Sequence, residues 1–546
     1  MRILGFYNGH HSSACLLQDG RLEAVIETEK MLGEKYVRGK VIYAIDELLR
    51  QTGVDIESID LVAFSPQKSN DPSMTDFDGE LLTKHPFNPA IPFSEHNINV
   101  FGRKIPAICI DHHVCHAANT YYLSNVDESL IFTYDGCGNF GISALVCEGE
   151  ENKIAVVEPI PFRAGLLLST IGYYLFGMGG PLEDKTHPAG KLMGLSSYGK
   201  ERSEWANTIR GWLYNDRYVN PNDYLADQCL EGIGQFSKGL LKPENRDAQD
   251  FMATVQATLN IELIKLLHNY RGSHKSLSLG GGCALNCLAN SEVLRTKMFT
   301  NLFIPPSCYD GGIAIGAAFY LYYHILGNPL QRQLFTPYLG RDPLTHRNSY
   351  LDPERILEGL SVHSDSDEAL VGMSVEVLSK GGTVAVMKGR SEIGPRALGN
   401  RSILADPRLS GMKELLNQQI KHREWYRPYA PVVKEESFGD YFDTLGIQQS
   451  PSMLFAFPTR TDIIPATTHV DGTARVQTVN RQQNMFLYGV LDGFHKRTGV
   501  PVLLNTSFND HGKPLVDSLA TAIRHFRTTP LDLLIVGNTA YRKKAK

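Results

Sequence analysis

Two histidines four positions apart, His112 and His116 in "IDHHVCHAANTYYLS", can present both imidazoles from one face of an α-helix to a single ion. The same letters also suit an ordinary helix start, with Asp111 as the cap and the rings solvated. Two carboxylates tilt the reading towards chemistry: Asp135 in the Gly-rich turn "YDGCGNFG" and Asp310 in "CYDGGIAIGAA". Two imidazoles and two carboxylates form a borderline donor set that suits Fe(II), Mn(II) or Zn(II), and suits Mg(II) poorly. Room for further ligands would make such a site catalytic rather than structural. His113 points off the shared face and reads as a bystander or a supporting group.

A second concentration of chemistry is cationic. "MKGRSEIGPRALGNRSILADPR" carries Lys388, Arg390, Arg396, Arg401 and Arg408, and "NQQIKHREWYRPYAP" adds Lys421, Arg423 and Arg427. "HVDGTARVQTV" contributes Arg475, and "VPVLLNTSFND" sets Asn505 and Ser507 just beyond an apolar strand. A solvated basic face would intersperse polar helix formers, whereas these arginines sit among Gly, Pro, Leu, Ile and Ala. A guanidinium on a glycine-rich backbone suits bidentate capture of phosphate or carboxylate, so a polyphosphate or phosphoanhydride site is expected. In "SLSLGGGCALNCLAN" a short strand meets Gly280, Gly281 and Gly282 and then a helix. Backbone amides at Gly281 and Gly282 can approach a ligand, and the helix start favours an anion. Asn286 and Asn290, four apart, are placed to meet a ribose or base edge.

The elements that must position these groups follow from the apolar runs. "ILGFYNGHHSSACLLQDGRLEAVIETEK" reads as three strands with a hairpin turn at Asp19 and Gly20. A similar unit recurs at "SLIFTYDGCGNFGISALVCEGEENKIAVVEPIP". Two meanders, each followed by helical sequence, predict a duplicated α/β core of the actin and sugar-kinase type. In that arrangement the turn after each first strand faces a nucleotide in the cleft. A polar stretch without strong period, "GRDPLTHRNSYLDPERILEGLSVHSDSDEA", predicts a boundary, dividing the chain into residues 1–350 and a smaller α/β domain of residues 351–546.

At 546 residues the chain exceeds one ordinary core. Its hydrophobic share of 42% and charged share of 21% describe a soluble globular protein. A net charge of −5 argues against a general binder of nucleic acid or anionic membrane. The opening "MRILGFYNGHHSSACLLQDG" is interrupted by Asn, Gly and His before a signal or spanning helix could form. The nine cysteines are scattered without a C-x-x-C pair, which fits reduced thiols in the cytoplasm. A homodimer is compatible with these features.

The chain resembles the O-carbamoyltransferases of antibiotic and nodulation-factor biosynthesis. The motifs that carry the resemblance are "EKYVRGK", "DHHVCHAA", "YDGCG", "GKLMGLSSYG", "GGGCALNCLAN", "CYDGGIAIGAA", "GRSEIGPRALGNRSILADPR", "IKHREWYRPYAP", "HVDGTARVQTV" and "LLNTSFN". They occur in family order and cover nearly the whole chain. The resemblance implies a larger actin-type Fe(II) domain, similar to the tRNA threonylcarbamoyl-transfer subunit. It also implies a smaller domain similar to the enzyme that makes threonylcarbamoyl-adenylate. The smaller domain would turn carbamoyl phosphate and ATP, with Mg(II), into carbamoyl-adenylate. The larger would pass the carbamoyl group to a hydroxyl of a small-molecule, natural-product acceptor, releasing AMP.

By the same resemblance, His112, His116, Asp135 and Asp310 are the iron ligands and His10 in "NGHHSSA" the general base, with His11 an adjacent alternative. Arg396, Lys421, Arg427, Arg475, Asn505 and Ser507 match the donor and ATP site. Asn286 and Asn290 match adenylate contacts, and Lys40 and Lys191 match phosphate or carbamoyl contacts. The acceptor is expected beside "LLLSTIGYYLFGMGGPLEDKTHP", with Tyr173, Tyr174, Leu175 and Phe176 as an apolar border. Two positions depart from the family pattern: Asn139 where an Asp is usual, and Lys513 where G-E-P usually follows. A tRNA-modifying threonylcarbamoyl enzyme is disfavoured by the net acidity. A hydrogenase-maturation enzyme is disfavoured by the absence of C-x-x-C zinc pairs.

Overall fold

Each meander folds as three antiparallel strands. β1 (Arg2–Tyr7), β2 (Ser13–Gln18) and β3 (Arg21–Glu27) form the first. Asp19 and Gly20 turn it with φ of 49° and 82°, the left-handed pair that a two-residue hairpin demands. β4 (Leu61–Ser65), β5 (Phe93–Val100) and β6 (Arg103–Ile110) complete a six-stranded sheet of order β3-β2-β1-β4-β6-β5. β7 (Glu128–Tyr134), β8 (Ala144–Glu150) and β9 (Lys153–Ile160) form the second meander. β10 (Ser276–Gly280) and β11 (Asn301–Phe303) extend it to the order β11-β10-β7-β8-β9. β1 and β7 hold the same place in the two sheets, each with an antiparallel neighbour on one side and a parallel one, β4 or β10, on the other. The mixed α/β duplication expected from the sequence is present in this pairing.

This computed structural model describes residues 1–65, 88–138, 141–178, 188–214, 241–332, 335–342, 344 and 357–544, with Tyr174 described by its backbone only. Asn139 and residues 179–187 of the expected acceptor border lie outside the described residues. Between the two sheets sit two helices. His112–Leu123 has every side chain buried and packs on β7 and β10, and Ile313–Phe319 packs on β1, β2 and β4. The helices also pack on each other, so closely that a Cβ at Gly316 would collide with the carbonyl oxygen of Cys115. Asn119 Nδ2 donates to Ser307 O at 2.8 Å, and Ser307 Oγ donates to Asn119 Oδ1 at 3.3 Å. The histidine helix and the turn leading to Asp310 are thereby fixed to each other.

The chain separates into two compact units, Met1–Glu29 with Lys35–Phe335, and Lys30–Glu34 with Thr336–Lys546. The division precedes residue 350 because residues 337–341 are bonded into the second unit. Ile393 N donates to Pro337 O at 2.7 Å, and Gly340 N to Ser391 O at 2.9 Å. The second unit is built on β12 (Leu360–Ser364), β13 (Val384–Met387), β14 (Arg401–Ala405) and β15 (Ala430–Lys434). A small hairpin follows, β16 (Phe457–Pro458) with β17 (Thr473–Ala474). β18 (Gln477–Val479), β19 (Val502–Ser507), β20 (Leu533–Val536) and β21 (Thr539–Lys543) complete an eight-stranded mixed sheet of order β12-β21-β20-β13-β14-β19-β15-β18. Ile403, Leu504 and Leu534 are fully buried in its core. No helix among the described residues is long and apolar enough to cross a membrane. The eight described cysteines are free thiols.

Candidate metal centre and anion site

Asp111 caps the histidine helix, its Oδ1 accepting from His113 N at 2.9 Å and Val114 N at 3.3 Å. The ordinary cap and the metal reading therefore coexist. The cap starts the helix so that His112 and His116, one turn on, share a face. His112 Nε2 and His116 Nε2 each lie 3.3 Å from Asp135 Oδ2, and 3.6 and 3.4 Å from Asp310 Oδ1. One ligand atom from each residue falls within 4.8 Å of all the others. Four buried or half-buried donors from three separated segments converge on one point, an arrangement that suits a divalent transition metal.

Protonation adjusts to this crowding. Burial would raise the Asp135 carboxyl, but hydrogen bonds from both imidazoles hold it well below the usual carboxylate range. Burial would lower His116, yet its bonds to Asp135 and Asp310 lift it to about 9. Burial, with the neighbouring His112 and His116, drives His113 down to about 3. His113 is accordingly neutral: the Thr133 hydroxyl donates to its Nδ1 at 2.9 Å and its Nε2–H donates to Ile142 O at 3.0 Å. It is a supporting group that steadies the turn carrying Asp135.

The glycine cluster serves the carboxylate. Gly281 has φ of 85° and no room for a Cβ beside Tyr134 O. A Cβ on Gly282 would lie 2.8 Å from Asp135 Oδ1. Gly282 N donates to that oxygen at 3.2 Å and Gly136 N donates at 2.7 Å. The expected ligand-facing amide of Gly282 thus orients the Asp135 carboxylate. Asn286 is the cap of helix Cys287–Arg295 rather than a residue within it, because a 3-10 turn, Gly282–Leu285, comes first. Its Oδ1 accepts from Ala289 N at 3.1 Å and its Nδ2 donates to Gln256 Oε1 at 3.0 Å. Asn290 is fully buried and donates to Ala284 O at 2.8 Å. Adenylate contacts by these amides would require them to exchange partners.

His10 does reach the cluster, with Nε2 3.3 Å from Asp310 Oδ2 and a side chain 40% exposed. His11 stands beside it, ring centroids 4.6 Å apart. Lys40 is exposed where helix Val41–Thr52 begins, tied to the same loop through Asn8 Oδ1, which accepts from Val41 N at 3.2 Å. Lys191 is buried on helix Ala189–Ser196. Of the expected acceptor border, Leu175 and Phe176 are buried and Tyr173 is half-buried.

In the second unit the arginine-rich stretch divides by function. Arg401 is fully buried and donates to the carbonyls of Lys388, Gly389, Asn400 and Arg341. Arg390 donates to Gly340 O, Arg408 to Asp406, and Lys388 to Asp367 and Gly537 O. These four cations hold the frame. Arg396 is half-buried on the loop between them. Around Ser507 the pattern differs. Lys421 Nζ donates to Ser507 O at 2.6 Å and Asn509 O at 2.7 Å, and Arg423 Nη2 donates to Ser507 Oγ at 3.0 Å. Asn505 Nδ2 donates to Gln477 Oε1 at 2.8 Å, linking β19 to β18 near Arg475. Burial, then the charges of Arg427 and Arg475, push the Arg423 guanidinium down to about 9. Guanidiniums gathered in this way suit the capture of an anion. Arg427 pairs with Glu424 at 3.6 Å.

Two family descriptions match the chain, the carbamoyltransferase N-terminus over residues 95–319 and the carbamoyltransferase C-terminus over residues 375–543. The nodulation protein NolNO of Sinorhizobium fredii is 34% identical over 554 residues, spanning 98% of this chain and 79% of that protein. This chain belongs to the carbamoyltransferase family. A 3'-hydroxymethylcephem-O-carbamoyltransferase of Amycolatopsis lactamdurans is 28% identical over 100% of this chain and 99% of its own length. Among solved structures, an activator of 2-hydroxyisocaproyl-CoA dehydratase from Clostridium difficile covers 59% of this chain and 94% of its own, at 15% identity and a TM-score of 0.33, too distant to bear on the reading. The family resemblance of the motifs is thus upheld, and this protein is a carbamoyltransferase.

Asn509 was not singled out from the sequence, and Arg423 was marked within the basic run but not matched to the donor and ATP site. Helical spacing sets Lys421 and Arg423 on different faces. His422, left-handed at φ 46°, ends the helical turn and lets both flanking cations reach Ser507. A cation on each side of one residue, beside a serine two before an asparagine, was the available signal.

Proposed function

We propose that this carbamoyltransferase is an ATP-dependent O-carbamoyltransferase that modifies a hydroxyl of a small natural-product acceptor. The observation that carries it is the pairing, in one chain, of a two-imidazole, two-carboxylate cluster in the N-terminal family region with a cation-rich anion site in the C-terminal one. The relatives named for O-carbamoyl transfer support the hydroxyl acceptor. The first unit is read as the actin-type transfer domain and the second as the threonylcarbamoyl-adenylate-synthase-like domain.

In the second unit Lys421, Arg423, Arg427, Arg475 and Arg396 bind carbamoyl phosphate and the phosphates of Mg(II)–ATP. Carbamoyl phosphate loses phosphate to water. The carbamate oxygen then attacks the α-phosphorus of ATP and pyrophosphate leaves, its growing charge balanced by the guanidiniums. In the first unit His112, His116, Asp135 and Asp310 would hold Fe(II), which supplies Lewis-acid polarisation of the carbamoyl-adenylate when bound. The acceptor oxygen attacks the carbamoyl carbon, the bond to the adenylate oxygen breaks, and AMP departs. His10 Nε2 faces Asp310, so Nδ1 takes the acceptor's proton, a contribution of about 10²–10⁴-fold. Asn286, Asn290, Lys40 and Lys191 are assigned to the adenylate side of this step.

The test combines the protein with carbamoyl phosphate, Mg(II)–ATP, Fe(II) and a panel of hydroxylated natural-product scaffolds. Carbamoyl mass gain with stoichiometric AMP and pyrophosphate is expected. Absence of pyrophosphate release that depends on carbamoyl phosphate would sink the reading.

A further inference from the structure

Asp310 uses its two oxygens differently. Oδ1 faces the imidazoles of His112 and His116, while Oδ2 accepts from the Tyr7 hydroxyl at 3.2 Å and faces His10 Nε2 at 3.3 Å. Tyr7 is the last residue of β1, is 5% exposed, and lies 303 positions from Asp310 in the chain. Its ring is fixed on two sides. One face meets the edge of His112, with centroids 6.0 Å apart. The other end lies under Gly9, where a Cβ would collide with the Tyr7 ring and hydroxyl. An unheld carboxylate could rotate and offer a metal both oxygens, or offer Oδ2 instead of Oδ1.

We propose that Tyr7 is a positioning residue for the metal centre: its hydroxyl holds back Asp310 Oδ2, so that Asp310 gives the ion only Oδ1 and stays in register with His10. The inference rests on reading the four-residue cluster as a metal site. Groups that orient a metal ligand from behind typically change affinity by about 10–100-fold when removed. Gly9 belongs to the same device, because no larger residue leaves the hydroxyl where Asp310 meets it.

The full-length protein, freed of metal by chelation, is titrated with Co(II), whose visible spectrum reports coordination directly. Tyr7→Phe is expected to weaken Co(II) binding by about 10-fold and to shift the visible bands as Asp310 turns. Gly9→Ala should produce the same loss, and the double variant should lose little more than either single one, because both act through one hydroxyl. Metal-free melting temperature and far-UV circular dichroism check the fold, and Gly9→Ala carries the test if Tyr7→Phe does not fold. Wild-type affinity and spectrum in folded Tyr7→Phe would overturn the proposal and leave the metal reading intact. Failure of the wild-type protein to bind Co(II) would overturn both.

Discussion

The candidate metal cluster and the arginine-rich stretch were both marked by residue type, yet the structure arranges their side chains in different ways. At the cluster, His112, His116, Asp135 and Asp310 aim their free atoms at one another. In the stretch, Arg401 already satisfies its guanidinium on backbone carbonyls, as Lys388 and Arg390 do in part. The proposed anion site lies further along, where the charges of Arg427 and Arg475 bear on a buried Arg423. Backbone carbonyls take up the Arg401 guanidinium and also the Lys421 ammonium, whereas Arg423 meets the Ser507 hydroxyl, so residue type alone does not divide framework from chemistry.

The most severe way to break this contrast is to remove one converging ligand. His116→Ala should abolish stable metal binding and lower carbamoyl transfer by about 10³-fold, while pyrophosphate release in the second unit persists. Metal content and separate assays of the two half-reactions check it. Next, Arg401→Met and Arg423→Ala should diverge. The first costs about 3–5 kcal/mol of stability, read from the urea midpoint, since it strips a buried cation from its partners. The second leaves the midpoint nearly unchanged and lowers pyrophosphate release by about 10²-fold.

A smaller effect follows from His116, lifted to about 9 in the metal-free cluster. Metal must displace that proton, so affinity should rise about tenfold per pH unit from neutrality and level off above about 9. For the metal-free fold the sign is opposite. Protonated His116 contributes stability that is full below about 6.5, the free-imidazole value, and is lost as pH rises through about 9. Titration of metal binding and thermal melting across this range checks both. Smallest is Asn286→Ala, which should cost about 1 kcal/mol as a lost helix cap. A fall in transfer much larger than that loss of stability would support the adenylate contact proposed for Asn286.

The duplicated sheets were legible because alternating apolar runs and the left-handed pair Asp19 and Gly20 are local signals. The histidine pair was legible because one helical turn fixes their relation. Asp135 and Asp310 were marked as carboxylates on glycine-rich turns, but their meeting with the imidazoles was not legible, since segments far apart in the chain bring them together across the fold. Asn286 was placed within the helix because the 3-10 turn that delays its start gives no local signal, and the approach of Arg423 to Ser507 was hidden because it depends on the left-handed His422. Tyr7 gave no signal, for its partner is 303 positions away.

The order of strands in the second sheet also sets a timetable for biosynthesis. β12 pairs on the described sheet only with β21, and β20 joins it through the same strand. A ribosome must therefore deliver β21 before this half can close, whereas the described strands of the half that carries the histidine cluster have all emerged with β11. A chain cut short before Thr539 would keep its histidine cluster but leave β12 unzipped and the edge of β20 open to aggregation.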